Sequence, residues 1–194
     1  AHAMVFDPFS SDPEALRKAE SARRAVIGAG MLGIDWVVFH PAAVNSVDKS
    51  LRLEKNVEWI LPYVKLAEEC GTGIALENMN DHGKGIRYCC DAAELITLVD
   101  ALNSPAVGTC WDIGHAHCQH IDQYANITSF GDRLKVLHVQ DNDGESDGHT
   151  APYYGSVDWS VIKQALTDVG YKGEFTFEAH MLLRRVPESC RDSA

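Results

Sequence analysis

Positive charge is what this sequence has least of. Against 28 Asp and Glu it carries 17 Lys and Arg, a formal net charge of −11. Nucleic-acid binding is driven by neutralising phosphates, so this balance argues against a DNA or RNA partner. No apolar run approaches the roughly 20 residues that cross a bilayer, so no membrane association is expected. The first ten residues lack a basic flank and meet Asp7 and Pro8 at once, which does not read as a signal peptide. The six cysteines contain no C-x-x-C pair, and Cys110 lies within an apolar run. Reduced thiols and a cytoplasmic location are therefore expected. No repeat or Pro/Gly/Ser-rich linker divides the chain, so residues 1–194 read as one domain with length enough for a real core.

What the chain does have is alternation. Short apolar runs at Ile34–His40, Gly73–Glu77, Ala106–Asp112, Leu134–Gln140 and Glu174–Glu178 read as strands, the first of them buried. Between them lie helical patterns. Leu53, Val57, Ile60, Leu61 and Val64 form a stripe that closes at Gly71, with Pro62 expected to kink it or mark an irregular turn. Asp91 and Glu94 have capping-box spacing ahead of Leu95, Leu98, Val99 and Leu102. Ile121–Phe130 reads as a helix ended by Gly131, and Asp158 caps one carrying Ile162, Ala165, Leu166 and Val169. Strand–helix alternation with units of roughly 30 residues predicts parallel strands covered by helices, either as an open doubly wound sheet or as a closed barrel.

The strand ends decide between them. They fall at His40, Glu77, Asp112, His138 and Glu178. With 28 acidic residues and 9 histidines in 194, five such ends in succession have odds of about 0.0003 by chance. An open sheet uses a few strand ends at one switch point, whereas a (β/α)₈ barrel gathers all of them at one mouth. The expected fold is therefore an α/β TIM barrel. Five clear strands and a sixth near Ala1–Met4 leave it short of eight, so the first two βα units are expected to be missing. Three carboxylates and an imidazole at that mouth suit one divalent cation, Mn, Mg, Co or Zn. Such an ion can hold vicinal sugar oxygens and stabilise an enediolate, with Glu77 and Glu178 as general base and acid.

Particular segments resemble the xylose-isomerase-like barrels, a superfamily of sugar-phosphate isomerases and epimerases together with endonuclease-IV-type enzymes. They are Trp36–Pro41, Ala75–Asn78, Cys110–His117, Leu137–Asp141, Asp147–His149 with Gly155–Trp159, and Phe175–Glu178. The resemblance implies that Glu77, Asp112, His138 and Glu178 are the metal ligands, that the two glutamates move the proton, and that His115 contacts a substrate oxygen. It implies a small sugar or polyol as partner and allows a homo-oligomer. One departure is that ketose 3-epimerases carry an Arg six residues after the ligand His, where this chain has Gly144. The endonuclease branch implies a rival set of three zinc ions. His2 and His40 would join Glu77 at the first, and Asp112, His138 and Glu178 would share Glu77 at the second. His115, Asp147 and His149 would hold the third. A non-catalytic sugar-binding barrel is the remaining alternative.

Other features carry less. The loop Gly83–Tyr88 offers Lys84, Arg87 and Tyr88 as a thin recognition surface. Gly28-Ala-Gly30-Met-Leu-Gly33 matches G-x-G-x-x-G, but it follows a helix and precedes a strand, the reverse of a dinucleotide fingerprint. Asp141–Asp147 lacks EF-hand spacing. His117 and His120 are expected to face solvent; His82 and His180 follow ligand strands and either could touch substrate, with surface placement the default. Trp111 is expected either to wall the pocket or to pack in the core.

Overall fold

The computed structural model describes residues 1–42, 51–81, 84 and 87–182. Its elements follow the expected alternation: α1 (Pro13–Leu32), β1 (Trp36–Phe39), α2 (Arg52–Cys70), β2 (Gly73–Glu77), α3 (Ala92–Leu102), β3 (Val107–Asp112), α4 (Ile113–Cys118), α5 (Gln123–Phe130), β4 (Leu134–Val139), α6 (Trp159–Asp168) and β5 (Phe175–Phe177). All neighbouring strands are parallel, in the order β1-β2-β3-β4-β5. A parallel bridge from His2 to Val38 adds a short sixth piece beside β1. This is most of a TIM barrel, with helices packed outside the curved sheet.

Local chemistry accounts for where the helices begin and end. Asp12, Asp91, Asp112, Asp122 and Asp158 each cap a helix by accepting a hydrogen bond from a backbone N–H of its first turn. At α3 the reciprocal bond is shifted by one residue: Glu94 Oε2 accepts from Cys90 N at 3.1 Å rather than from Asp91. Helix α2 runs unbroken across Pro62. The short helix α4, directly after β3, is absent from the sequence pattern because six residues show no usable periodicity.

The pleat places the functional residues. Side chains alternate along a strand, so every second residue faces the same way. Trp36, Val38, Ala75, Cys110 and Val136 form a small cluster of their own, separate from the larger core under the helices. Two residues beyond Val38, Ala75, Cys110 and Val136 come His40, Glu77, Asp112 and His138. The candidate ligands are thus the next layer of the barrel interior, at the C-terminal ends of the strands. Trp111 alternates the other way and packs fully buried on Phe130, its Nε1 donating to Gln123 Oε1 at 2.9 Å, so it belongs to the outer core and not to the pocket.

The glycines of the G-x-G-x-x-G stretch have a packing role. Gly33 ends α1 in the left-handed region at φ +67°, and a Cβ on Gly30 would run into the Cys70 carbonyl at the end of α2. We expect Gly30→Ala to lower unfolding free energy by about 1–3 kcal/mol through overpacking, as read by urea denaturation, without disturbing the distant strand ends.

Candidate metal centre

Glu77 is the hub. Its carboxylate is 1% exposed and faces imidazoles on both oxygens. Oε2 lies 3.0 Å from His40 Nε2 and 3.3 Å from His2 Nε2. Oε1 lies 3.1 Å from His138 Nδ1 and 3.4 Å from His115 Nδ1. Glu178, just beyond β5, brings Oε1 to 3.3 Å from the same His138 Nδ1. Potential ligand atoms of Glu77, Asp112, His138 and Glu178 all lie within 4.8 Å of one another. Further sets that meet the same limit include His2, His40 and Glu77, and His115, Asp147 and His149. In the last set His115 Nε2 and His149 Nε2 approach Asp147 Oδ2 at 3.2 and 3.3 Å. His2, His40, Glu77, Asp112, His115, His138, Asp147, His149 and Glu178 are therefore at one mouth, around a cavity of about 460 Å³ whose rim carries Met79, Asn80, Lys84 and Arg87. Asp112 and His138 lie beneath its floor, buried.

Such a concentration of charge polarises its members. Burial alone would push the Glu77 carboxyl up, yet the imidazoles of His138, His2 and His40 hold it well below the usual carboxylate range. Asp112 is driven up, chiefly by desolvation. Burial lowers His115, but Asp112, Asp147 and Glu77 overcome it and raise the group to about 10. The contact with Asp147 raises His149 to about 8. Positive charge is thus required among these carboxylates, and protons on the imidazoles supply it when nothing else does.

Hydrogen bonds orient the imidazoles for a cation. His2, His115 and His149 each turn Nδ1 to a backbone carbonyl (Ala3 at 2.7 Å, Asn78 at 2.8 Å and Glu178 at 2.9 Å). Donation there leaves the Nε2 lone pair directed at the carboxylates. His138 Nδ1 is buried without a hydrogen bond, although two carboxylate oxygens lie within 3.3 Å. An acceptor nitrogen facing carboxylates across such a gap fits a metal between them. The four residues Glu77, Asp112, His138 and Glu178 suit one divalent ion with room for outside oxygens.

Three contributors, Asn78, Gln140 and Asp141, have no signal of their own as site residues in the sequence. Asn78 clamps Asp112, accepting its N–H at 2.6 Å and donating to its carbonyl at 3.0 Å. Gln140 is fully buried between Asp112 and Asp147. Asp141 is also fully buried and accepts from the backbone N–H of Asn142, Tyr153 and Val157 and from Trp159 Nε1. It pins the loop that carries Asp147 and His149. His180 is exposed, as the default placement has it, with its ring 4.5 Å from that of His149. His117 donates to or accepts from Ser156 Oγ at 2.8 Å, and His120 is exposed. His82 lies outside the described residues.

Known proteins share this fold. Residues 1–191 match the model of the xylose isomerase-like TIM barrel family. The chain belongs to this family. A D-psicose 3-epimerase of Enterocloster bolteae is 29% identical over 89% of the chain and 58% of its own length. A probable endonuclease 4 of Mesomycoplasma hyopneumoniae is 23% identical over 72% of the chain and 53% of its own length. Among solved structures, a D-tagatose 3-epimerase-like protein superimposes with a TM-score of 0.78 at 25% identity, covering 91% of this chain and 68% of that one. The chain spans about three-fifths of the length of the first curated relatives it matches. Among the described residues no helix is long and apolar enough to cross a membrane, and Cys70, Cys89, Cys90, Cys110 and Cys118 are free thiols.

Replacing Asp141 leaves four donors without their acceptor, two of them in buried hydrogen bonds. We expect Asp141→Ala to cost about 2–4 kcal/mol and to expose the segment 142–157 to limited proteolysis, while Glu145→Ala at the exposed turn leaves both unchanged.

Proposed function

We propose that the protein is a metal-dependent isomerase or epimerase of a small keto-sugar, polyol or sugar phosphate. The observation that carries this reading is the convergence of Glu77 and Glu178 on the buried Nδ1 of His138, under a cavity within the roughly 300–1,000 Å³ range of small-molecule sites. Its relatives among the sugar 3-epimerases support the same chemistry.

Glu77, Asp112, His138 and Glu178 would hold one divalent ion of Mn, Mg, Co or Zn. When bound, that ion supplies Lewis-acid polarisation of a substrate carbonyl. The chain's own groups do the proton work. A carboxylate oxygen of one glutamate accepts the proton from the carbon next to the carbonyl, and the other glutamate returns a proton to it. Return to the opposite face inverts the centre. His115, its Nδ1 tied to Asn78, directs Nε2 into the cavity to bond a substrate oxygen. Asp147 and His149 complete that wall. The substitution of Gly144 for the Arg of ketose 3-epimerases points away from a free ketohexose.

A second reading has its own support. His2 with His40 and Glu77, and His115 with Asp147 and His149, are each compact enough for an ion, as a trinuclear-zinc phosphodiesterase requires. The charge of −11, with Lys84 and Arg87 the only Lys or Arg among the described residues lining the cavity, gives a nucleic-acid backbone little to hold.

Elemental analysis of the full-length protein, paired with deuterium wash-in from D₂O over a panel of ketoses and ketose phosphates, separates the readings. We expect one divalent ion per chain and solvent exchange of one carbon-bound hydrogen. Glu77→Gln and Glu178→Gln should each lower turnover by about 10²–10⁴-fold. Close to three zinc ions with cleavage of abasic-site DNA would overturn the epimerase reading. Metal and sugar binding with no exchange on any sugar would leave a binding barrel.

A further inference from the structure

We infer that Gln140 is a positioning residue that couples the metal ligand Asp112 to the Asp147–His149 loop, so that metal affinity and the placement of this cavity wall report on each other. The inference rests on the metal-centre reading above.

Gln140 follows β4 and is fully buried. Its Nε2 lies 3.3 and 3.5 Å from the two oxygens of Asp112 and 2.6 Å from Asp147 Oδ1. Its Oε1 accepts the backbone N–H of His149 at 3.1 Å. The orientation of the amide is fixed by its partners, because two carboxylates require the N–H₂ end and a backbone donor requires the oxygen. One side chain thus spends both donors and its acceptor on groups from two neighbouring ligand sets.

Space for this is built into the sequence. A Cβ on Gly114 would overlap the Gln140 amide, so the glycine of Asp112-Ile-Gly-His115 is what lets Gln140 cross above the start of α4. Asn142 seals the crossing by donating to the Gly114 carbonyl at 2.9 Å. The contact with Asp147 is short and that with Asp112 is long, so the amide has little freedom to follow one carboxylate without leaving the other. A substrate that draws Asp147 or His149 inward therefore shifts the donor that fixes Asp112. Partners of this kind outside the ligand shell typically change metal affinity by about 10–100-fold. Linkage then requires the reverse effect, with metal loading favouring the loop position in which Asp147 and His149 keep their bonds to Gln140.

The test is a double-mutant cycle on the full-length protein, read as Mn²⁺ affinity from the free-ion electron paramagnetic resonance signal rather than as activity. We expect Gln140→Met, which keeps the length of the side chain but not its hydrogen bonds, to weaken Mn²⁺ binding by about tenfold or more. Asp147→Ala should weaken it in the wild-type background and have a markedly smaller effect beside Gln140→Met. Gln140→Asn, one methylene short of spanning both carboxylates, should be uncoupled in the same way, and it serves if the Met variant does not fold. Effects that add within about twofold would overturn the coupling. Absence of Mn²⁺ or Zn²⁺ binding to the wild-type protein would instead overturn the metal centre itself.

Discussion

Two carboxylates, Glu77 and Asp112, are taken almost wholly out of water at the ends of adjacent strands. Desolvating even one ionised carboxylate costs several kcal/mol unless a compensating charge is at hand. Glu77 meets this by collecting four imidazoles, and Asp112 by capping α4 and accepting from Gln140. The surrounding polar groups are arranged around that demand. Asn78 holds the Asp112 backbone, and the carbonyls of Ala3, Asn78 and Glu178 fix three of the rings. Protons can supply the missing positive charge, but a cation does so with no loss of the lone pairs these bonds have oriented.

The architecture makes the convergence cheap. Parallel strands with a period of two deliver one inward residue from each strand to the same level, so the ligands need no special backbone. His138 sits directly opposite Asp112 in register, and Glu77 opposite Cys110. The loop after β4 is irregular: Gly144, His149 and Tyr153 adopt positive φ there, and the Asp141 carboxylate replaces regular hydrogen bonding. Loops at the C-terminal mouth of a barrel are where families vary their specificity, and this one contributes Asp147 and His149.

Much of this was legible in the residues. Acidic and histidine strand ends signalled the barrel because five strands repeat one chemical type at one structural position. Helix starts were readable from Asp91 and Asp158, since a cap is a local interaction. Gln140, Asn78 and Asp141 were not, because an amide or a carboxylate bonded to distant groups leaves no periodic trace. Trp111 was ambiguous for a related reason: next to a ligand in sequence, it faces the opposite side of the pleat. The G-x-G-x-x-G stretch shows the converse, where a familiar spacing comes from a helix end and a close crossing with α2.

The position of His2 has a structural consequence of its own. His2 stands beside β1 and Glu178 just beyond β5, yet their potential ligand atoms, with one from His138, lie within 4.8 Å. The His2 ring stacks on that of His138 at 5.6 Å. Side chains at the first and last described strands are therefore drawn together at the mouth. Those ties link residue 2 to residue 178, so they form only after most of the chain has been threaded into place. A centre made of such long-range contacts closes late in folding and acts as a clasp on the curvature of the sheet.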